Sequence, residues 1–83
     1  MLNILYFASL RERVGLASEV ITLPATATVG GLIDVLRARG GDWFDVLATN
    51  KSWRVAVNQE ISDMESPLKA GDEIAIFPPV TGG

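Results

Sequence analysis

Residues 73–83 read EIAIFPPVTGG, and this ending decides how the rest of the chain is organised. Ile74 and Ile76 alternate with residues of the opposite face, which is the period of two that a strand requires. Two prolines follow Phe77, and a proline cannot donate a ladder hydrogen bond. The strand is therefore predicted to end at Phe77, and the chain leaves the sheet toward two glycines.

Upstream of this strand, patterning predicts three more strands and one long helix. The strands are residues 2–8, 19–23 and 54–58, with a short edge segment around Ile61, and the helices are residues 10–14, 29–39 and one turn at 43–47. Thr28 suits the N-cap of the long helix and Ser9 that of the short one, which Gly15 ends. Gly30 and Gly31 fall in the first turn of the long helix, where each weakens it by about 1 kcal/mol.

This order of elements predicts an α+β domain in which one main helix packs on one face of a mixed sheet. If the first and last strands pair at the centre, the chain ends beside the middle of that sheet. A chain of 83 residues holds one domain with one modest core. We assign residues 1–77 to the domain and residues 78–83 to a C-terminal tail.

The composition excludes several classes of function. The net charge is −3, which disfavours nucleic acid as a partner. There is no cysteine and no histidine, so thiolate or imidazole metal sites and catalysis by a His base or a Cys nucleophile are excluded. We see neither a signal peptide nor an apolar run of about 20 residues, and we expect a cytoplasmic protein with no membrane partner.

Strand alternation predicts which side of the sheet is left open. Leu2, Ile4, Tyr6, Ile74 and Ile76 are expected to face the helix. On the other face, an apolar patch is expected from Leu5, Phe7, Ala75 and Phe77. An exposed apolar patch usually marks a partner site, and charged neighbours such as Arg11 are candidate contacts. The alternative is that residues 43–53 cover this patch.

The tail is the one local feature that suits chemistry. Its residues are Pro78, Pro79, Val80, Thr81, Gly82 and Gly83. Six residues span at most about 20 Å, and a Gly-Gly end can thread a narrow cleft because it has no side chains. We expect the carboxylate of Gly83 to be the reacting group, although a carboxylate needs activation by another enzyme before a nucleophile can attack it.

Residues 70–83, AGDEIAIFPPVTGG, closely resemble the C-terminus of the molybdopterin synthase small-subunit family. The segments ILYFA at 4–8, LRE at 10–12 and AVNQ at 56–59 are similar to the same family, so the resemblance covers essentially the whole chain. It implies a ubiquitin-like β-grasp fold and a sulfur carrier. In that family, an activating enzyme similar to those of ubiquitin adenylates the terminal carboxylate with ATP and magnesium, and a sulfur donor system then makes a thiocarboxylate.

The resemblance also implies the partners and the site. The large synthase subunit, in a heterotetramer, receives the tail and holds the catalytic residues, so this chain binds no cofactor and is not catalytic alone. Sulfur passes to a pterin precursor to build the molybdopterin dithiolene. The reacting end is Gly83 with Gly82, and the partner-binding residues are Phe7, Phe77, Leu5, Ala75, Arg11, Pro78, Pro79, Val80 and Thr81.

Other functions fit the same residues. The chain can serve as a sulfur carrier for thiamine, for tRNA thiolation or for a tungsten-type pterin. It can be a protein modifier whose Gly83 forms an isopeptide bond with lysine, or an interaction module with an inert tail. The FPPVTGG ending favours the sulfur carrier over the modifier by resemblance alone.

Overall fold

The computed structural model describes residues 1–48 and 52–78. The predictions made for Pro79, Val80, Thr81, Gly82 and Gly83 therefore lie outside the described residues. The elements are β1 (Leu2–Tyr6), α1 (Ala8–Val14), β2 (Ser18–Ile21), α2 (Val29–Arg37), α3 (Asp42–Val46), β3 (Arg54–Val57), β4 (Glu60–Ser62) and β5 (Glu73–Phe77).

The strands form one mixed sheet in the order β2-β1-β5-β3-β4. β5 pairs in parallel with β1 and antiparallel with β3, while β2 and β4 form the two edges. The first and last strands are neighbours at the centre of the sheet, which is the condition under which the chain was expected to end beside its middle. The α+β class is confirmed. The final strand, which carries the tail, is thus held on both sides by ladder hydrogen bonds.

α2 covers one face of the sheet and builds the core. Its N-cap is Thr28, as predicted, whose hydroxyl accepts a hydrogen bond from the amide of Gly31 at 3.0 Å. Leu32, Ile33 and Leu36 give the helix an apolar side that is fully buried. They pack against the helix-facing sheet residues, which are Leu2, Ile4, Tyr6, Ile74 and Ile76. Each such side chain contributes roughly 1.5–3 kcal/mol by its burial.

The glycines in the first turn of α2 have a packing reason. A Cβ on Gly31 would overlap the carbonyl oxygen of Thr26, so no larger residue fits beside that backbone. At Gly30 the amide donates to the carbonyl of Met64 at 2.8 Å. The amide of Val29 donates in the same way to Ser66 at 3.0 Å, so the first turn is bonded to the loop before β5. This docking compensates for the low helix propensity of glycine.

The short helix α1 departs from its predicted start. Ser9 is not an N-cap but lies inside the helix, whose N-cap is Phe7 without a side-chain hydrogen bond. Strand β1 ends at Tyr6, and Ala8 already has a φ of +52°. The predicted end at Gly15 is confirmed, because Gly15 is left-handed and its amide donates to Arg11.

The other boundaries differ from the predicted ones by one to a few residues, and two of them have a clear local cause. β3 stops before Asn58 because Asn58 and Gln59 both have positive φ and form the tight turn into β4. α2 ends at Arg37 because the amides of Arg39 and Gly40 bond three residues back, which tightens the last turn.

Candidate docking face and tail root

The register of the sheet defines its face away from α2, here called the open face. Residues paired across neighbouring strands share a face, because side chains alternate along each strand. Leu5 pairs with Ala75, which pairs with Ala56. Continued to both edges, this central row reads Ile61, Ala56, Ala75, Leu5 and Ser18. The two alanines in the middle have small side chains, so the centre of this row forms a shallow depression between larger residues.

The end of the open face where the chain leaves the sheet is here called the tail root, formed by Phe7, Phe77 and Pro78. The amide of Phe7 donates to the carbonyl of Ile76 at 3.2 Å, which holds Phe7 beside the end of strand β5. Phe7 is 44% exposed, whereas Phe77 and Pro78 are half-buried. The aromatic pair therefore lies where the tail begins.

The predicted separation of the two faces is confirmed. The helix-facing side chains of β1 and β5 are buried, and those of the open face are exposed or half-buried. The described part of the 43–53 segment lies on the helix side instead. Trp43 and Trp53 pack against the core, and the rings of Trp43 and Tyr6 meet edge to face with centroids 5.2 Å apart. These residues do not cover the apolar patch.

Ala8 turns the chain away from the sheet directly after Phe7. Its left-handed backbone is unfavourable for a residue with a Cβ, at roughly 1 kcal/mol. The carbonyl of Phe7 then accepts from the amides of Leu10 and Arg11 at 3.2 and 3.3 Å and starts α1. Strain of this kind persists where surrounding contacts hold it. Here the turn at Ala8 separates α1 from β1 and leaves Phe7 at the tail root.

A polar network fixes the other end of β5. Asp72 is buried and accepts hydrogen bonds from the side chain of Asn58 at 3.0 Å and the amide of Lys69 at 2.9 Å. Asn58 also accepts from the amide of Glu73 at 3.0 Å. The hydrogen bond from Asn58 lowers the pKa of Asp72. These hydrogen bonds anchor the start of β5.

A second network joins β1, β2 and the segment after α2. The Tyr6 hydroxyl donates to Glu19 at 2.6 Å, and Arg39 donates two hydrogen bonds to the same carboxylate at 2.8 and 2.9 Å. Burial raises the pKa of Tyr6, and the hydrogen bonds from Arg39 lower the pKa of Glu19. The guanidinium of Arg39 also lies over the Trp43 ring, 4.5 Å from its centroid.

Three of the five arginines form an ion pair or a cation–π contact within the domain. Arg13 pairs with Asp42 and Asp45, Arg39 pairs with Glu19, and Arg37 lies over the ring of Phe44 at 4.4 Å. In the part of the chain that the structure describes, Arg11 and Arg54 form no ion pair. Arg11 follows Phe7 by one helical turn, and Arg54 is the register partner of Phe77. Both free arginines therefore flank the tail root.

Sequence reasoning missed some members of the open face. Ile61 is 65% exposed and extends the central row to the edge strand, next to Ala56 on β3. Arg54 lies on the same face of β3, in the row of Phe77. The edge segment at Ile61 was predicted, but its face was not. The two positive-φ residues Asn58 and Gln59 set the hairpin register that places Ile61 opposite Ala56.

Two findings concern residues 1–48 and 52–78 alone. No helix there is long and apolar enough to cross a membrane. No group of three acidic side chains there is arranged to hold a metal ion.

The mixed five-stranded sheet, with its main helix on one face and its last strand at the centre, defines a ubiquitin-like β-grasp domain. The ThiS family model matches residues 4–83, so the chain belongs to the ThiS family. The fold that the sequence resemblance implied is thereby confirmed.

Relatives with a defined name match over their whole length. The molybdopterin synthase sulfur carrier subunits of Haemophilus influenzae and Escherichia coli are 44% and 42% identical to this chain, and each alignment covers 100% of both sequences. The resemblance seen in residues 70–83 and in the earlier segments is therefore confirmed.

Solved structures agree in fold. Small archaeal modifier protein 1 of Haloferax volcanii is 30% identical with a TM-score of 0.71, covering 95% of this chain and 97% of that one. A chain of the Amycolatopsis orientalis BexX/CysO complex is 27% identical with a TM-score of 0.74 and full coverage of both chains at 100%. A chain of the complex of subunits 1 and 2 of molybdopterin-converting factor from Helicobacter pylori, at 24% identity and a TM-score of 0.70 over 99% and 97%, shows the fold alone.

Proposed function

We propose that this chain is a sulfur carrier subunit of molybdopterin synthase and that the carboxylate of Gly83 carries the sulfur. An activating enzyme of the ubiquitin-activating type joins this carboxylate to AMP, using ATP and magnesium and releasing pyrophosphate. A sulfur donor system then displaces AMP and leaves a thiocarboxylate. Its sulfur passes to a pterin precursor, in which it becomes part of the dithiolene.

The observation that carries this proposal is the full-length match to molybdopterin synthase sulfur carrier subunits at 44% and 42% identity. The alignments cover 100% of both sequences and so include the Gly-Gly pair at positions 82 and 83.

The chain itself supplies a carboxylate and a surface. It has no histidine or cysteine to act as base or nucleophile. We therefore assign the catalytic residues to the large subunit. We also propose that this chain binds no cofactor and works in the cytoplasm. The ATP and magnesium belong to the activating enzyme.

The open face and the tail root are proposed as the docking surface for the large subunit. The exposed ring of Phe7, the half-buried Phe77 and the low central row offer apolar area directly beside the tail. Docking here would direct residues 78–83 into the partner's active site, within their reach of about 20 Å. The BexX/CysO complex supports a protein partner for a domain of this fold, and we expect a heterotetramer with two copies of each subunit.

Reconstitution tests this function. The chain is thiocarboxylated enzymatically, mixed with the large subunit from the same genome and supplied with the pterin precursor, and the dithiolene product is measured. We expect product in proportion to the thiocarboxylate consumed. A carrier that binds the large subunit without forming product would contradict the proposal, and a carrier lacking Gly83 is the matched control.

A protein modifier is the second candidate, because small archaeal modifier protein 1 has the same fold at 30% identity. The two candidates differ in the fate of Gly83. A modifier leaves a Gly-Gly remnant on lysines of other proteins, whereas a carrier regenerates its free end. A carrier for another product, such as thiamine, a thiolated tRNA or a tungsten-type pterin, is distinguished by which partner accepts the sulfur.

A further inference from the structure

Beside the tail root lies a charged side chain that forms no ion pair with any residue described by the structure. Arg54 begins β3 and is exposed, and its Cα is paired with that of Phe77 across the ladder. Paired residues share a face, so Arg54 stands on the open face next to the last strand residue before the tail. Its counterpart on the other side is Phe7, the neighbour of Phe77 on β1.

No carboxylate in the described part of the chain forms an ion pair with Arg54. Asp63 lines the same cleft as Arg54, but its carboxylate accepts from the amide of Glu65 at 3.0 Å and the hydroxyl of Ser66 at 3.2 Å. Glu73, the acidic residue on the same face of β5, lies at the opposite end of that strand. Four residue steps along the strand, about 13 Å, separate it from Phe77.

We propose that the Arg54 guanidinium binds a carboxylate of the large subunit at the mouth of the cleft that receives the tail. The proposal rests on the proposed function and adds a charged determinant of partner choice to the apolar docking surface. A guanidinium suits this task because it presents a fork of donors to a carboxylate. In a chain whose net charge is −3, a free cation beside the apolar patch also sets the orientation of docking.

A side-chain carboxylate fits this position better than a nucleotide phosphate. The adenylated atom is at Gly83, and six residues can reach at most about 20 Å from the tail root. We therefore expect Arg54 to meet the rim of the partner and the nucleotide to bind at the Gly83 end of the tail. Adenylation of the chain is expected to be less sensitive to Arg54 than binding of the large subunit.

Charge reversal at Arg54 tests this contact. Binding of the full-length chain to the large subunit is measured by calorimetry at about 0.05 M and 0.5 M salt, where screening lengths differ severalfold. We expect Arg54→Glu to weaken binding at least tenfold at low salt and much less at high salt, with Arg54→Gln in between. Lys69→Glu is the matched control, because it changes the net charge equally in the loop before β5, and it is expected to bind within twofold of the wild type.

Each outcome of the binding experiment either supports or overturns the proposed contact of Arg54. Equal loss in the Arg54→Glu and Lys69→Glu variants would show a net-charge effect and overturn the proposal, as would wild-type binding by Arg54→Glu. A loss in Arg54→Glu that is restored by reversing one acidic residue of the large subunit would establish the pair. If the wild-type chain does not bind the large subunit at all, the proposed function fails and this inference fails with it. Melting curves confirm that the variants are folded.

Discussion

Ile4 and Ile74 lie opposite each other on the parallel strands β1 and β5, and both side chains are completely buried. One residue further along each strand, Leu5 and Ala75 face the other way and are only partly covered. This single step in register separates the residues that hold the fold from those proposed to meet a partner.

Truncation on the two faces should therefore have opposite consequences. Ile74→Ala and Leu36→Ala remove fully buried methyl groups and are expected to lower the free energy of unfolding by about 2–5 kcal/mol. Phe7→Ala and Phe77→Ala should lower it much less but weaken binding to the large subunit at least tenfold, about 1.4 kcal/mol. Urea unfolding and calorimetry measure the two effects. If the phenylalanine variants unfold while Ile74→Ala does not, the face assignment is inverted.

The contact between Gly31 and the Thr26 backbone gives a second prediction. Gly31→Ala should destabilise the domain, because the new methyl group would overlap the carbonyl oxygen of Thr26, which is part of the backbone. The loss should be several times larger than the gain in helix propensity, which is roughly 1 kcal/mol. Gly30→Ala is the control in the same turn. Its Cβ would lie 3.1 Å from the Met64 carbonyl oxygen, so a shift of a few tenths of an ångström would relieve the contact. Equal denaturation midpoints for the two variants would contradict this account.

The strained backbone at Ala8 gives a third prediction, of opposite sign. Ala8→Gly removes the Cβ that disfavours a φ of +52°, so it should keep or slightly raise stability despite the greater freedom of glycine in the unfolded chain. Ser9→Gly, inside the same helix, should lower stability by up to about 1 kcal/mol. Thermal melting compares them, and a larger loss at Ala8 than at Ser9 would count against the strain.

The Glu19 network predicts how stability depends on pH. Its hydrogen bonds from Arg39 lower the pKa of Glu19 below the ordinary value of 4.5, and the bond from Asn58 lowers that of Asp72 below 3.8. A depressed pKa in the folded state means that its stabilisation is present above the unfolded pKa and is lost as pH falls through the folded one. Stability should thus decline as pH drops from about 4.5 toward the folded values.

Glu19→Gln isolates this contribution. It should be less stable than the wild type at pH 7, by about 1 kcal/mol, since Arg39 loses its carboxylate partner. Between pH 5 and 3 its stability should fall less steeply than that of the wild type. Glu12→Gln, an exposed charge removal on α1, serves as control. Urea unfolding at each pH measures the free energy of unfolding. If it falls equally steeply between pH 5 and 3 in the wild type and in Glu19→Gln, the network is not the cause.

Hydrophobic periodicity predicted the two faces because they depend on local alternation, as in Ile74 and Ile76. The central pairing of the first and last strands was a condition of the prediction, because local alternation does not determine which strands are neighbours. The N-cap at Thr28 was likewise predictable from a single residue type. The Ser9 cap was wrong, because Phe7 enters α1 through a left-handed Ala8 that no local propensity indicates.

The roles of Gly31 and Arg54 depend on residues distant in sequence. Gly31 is required by the backbone of Thr26, and Arg54 reaches the open face through the register of β3 with β5. Neither relation is visible until the strands are paired. The chemistry assigned to Gly82 and Gly83 was predicted from resemblance and lies outside the described residues, so it stays a prediction.

Mass spectrometry of the terminal peptide, from the chain purified from its own cells, tests most directly whether Gly83 carries sulfur. Incubation with the activating enzyme, ATP, magnesium and a sulfur donor should raise the fraction in which one oxygen of the Gly83 carboxylate is replaced by sulfur. A variant extended by one residue displaces the reacting group by about 3.5 Å and should remain unmodified. A terminal peptide that retains only its carboxylate after this incubation would contradict the account.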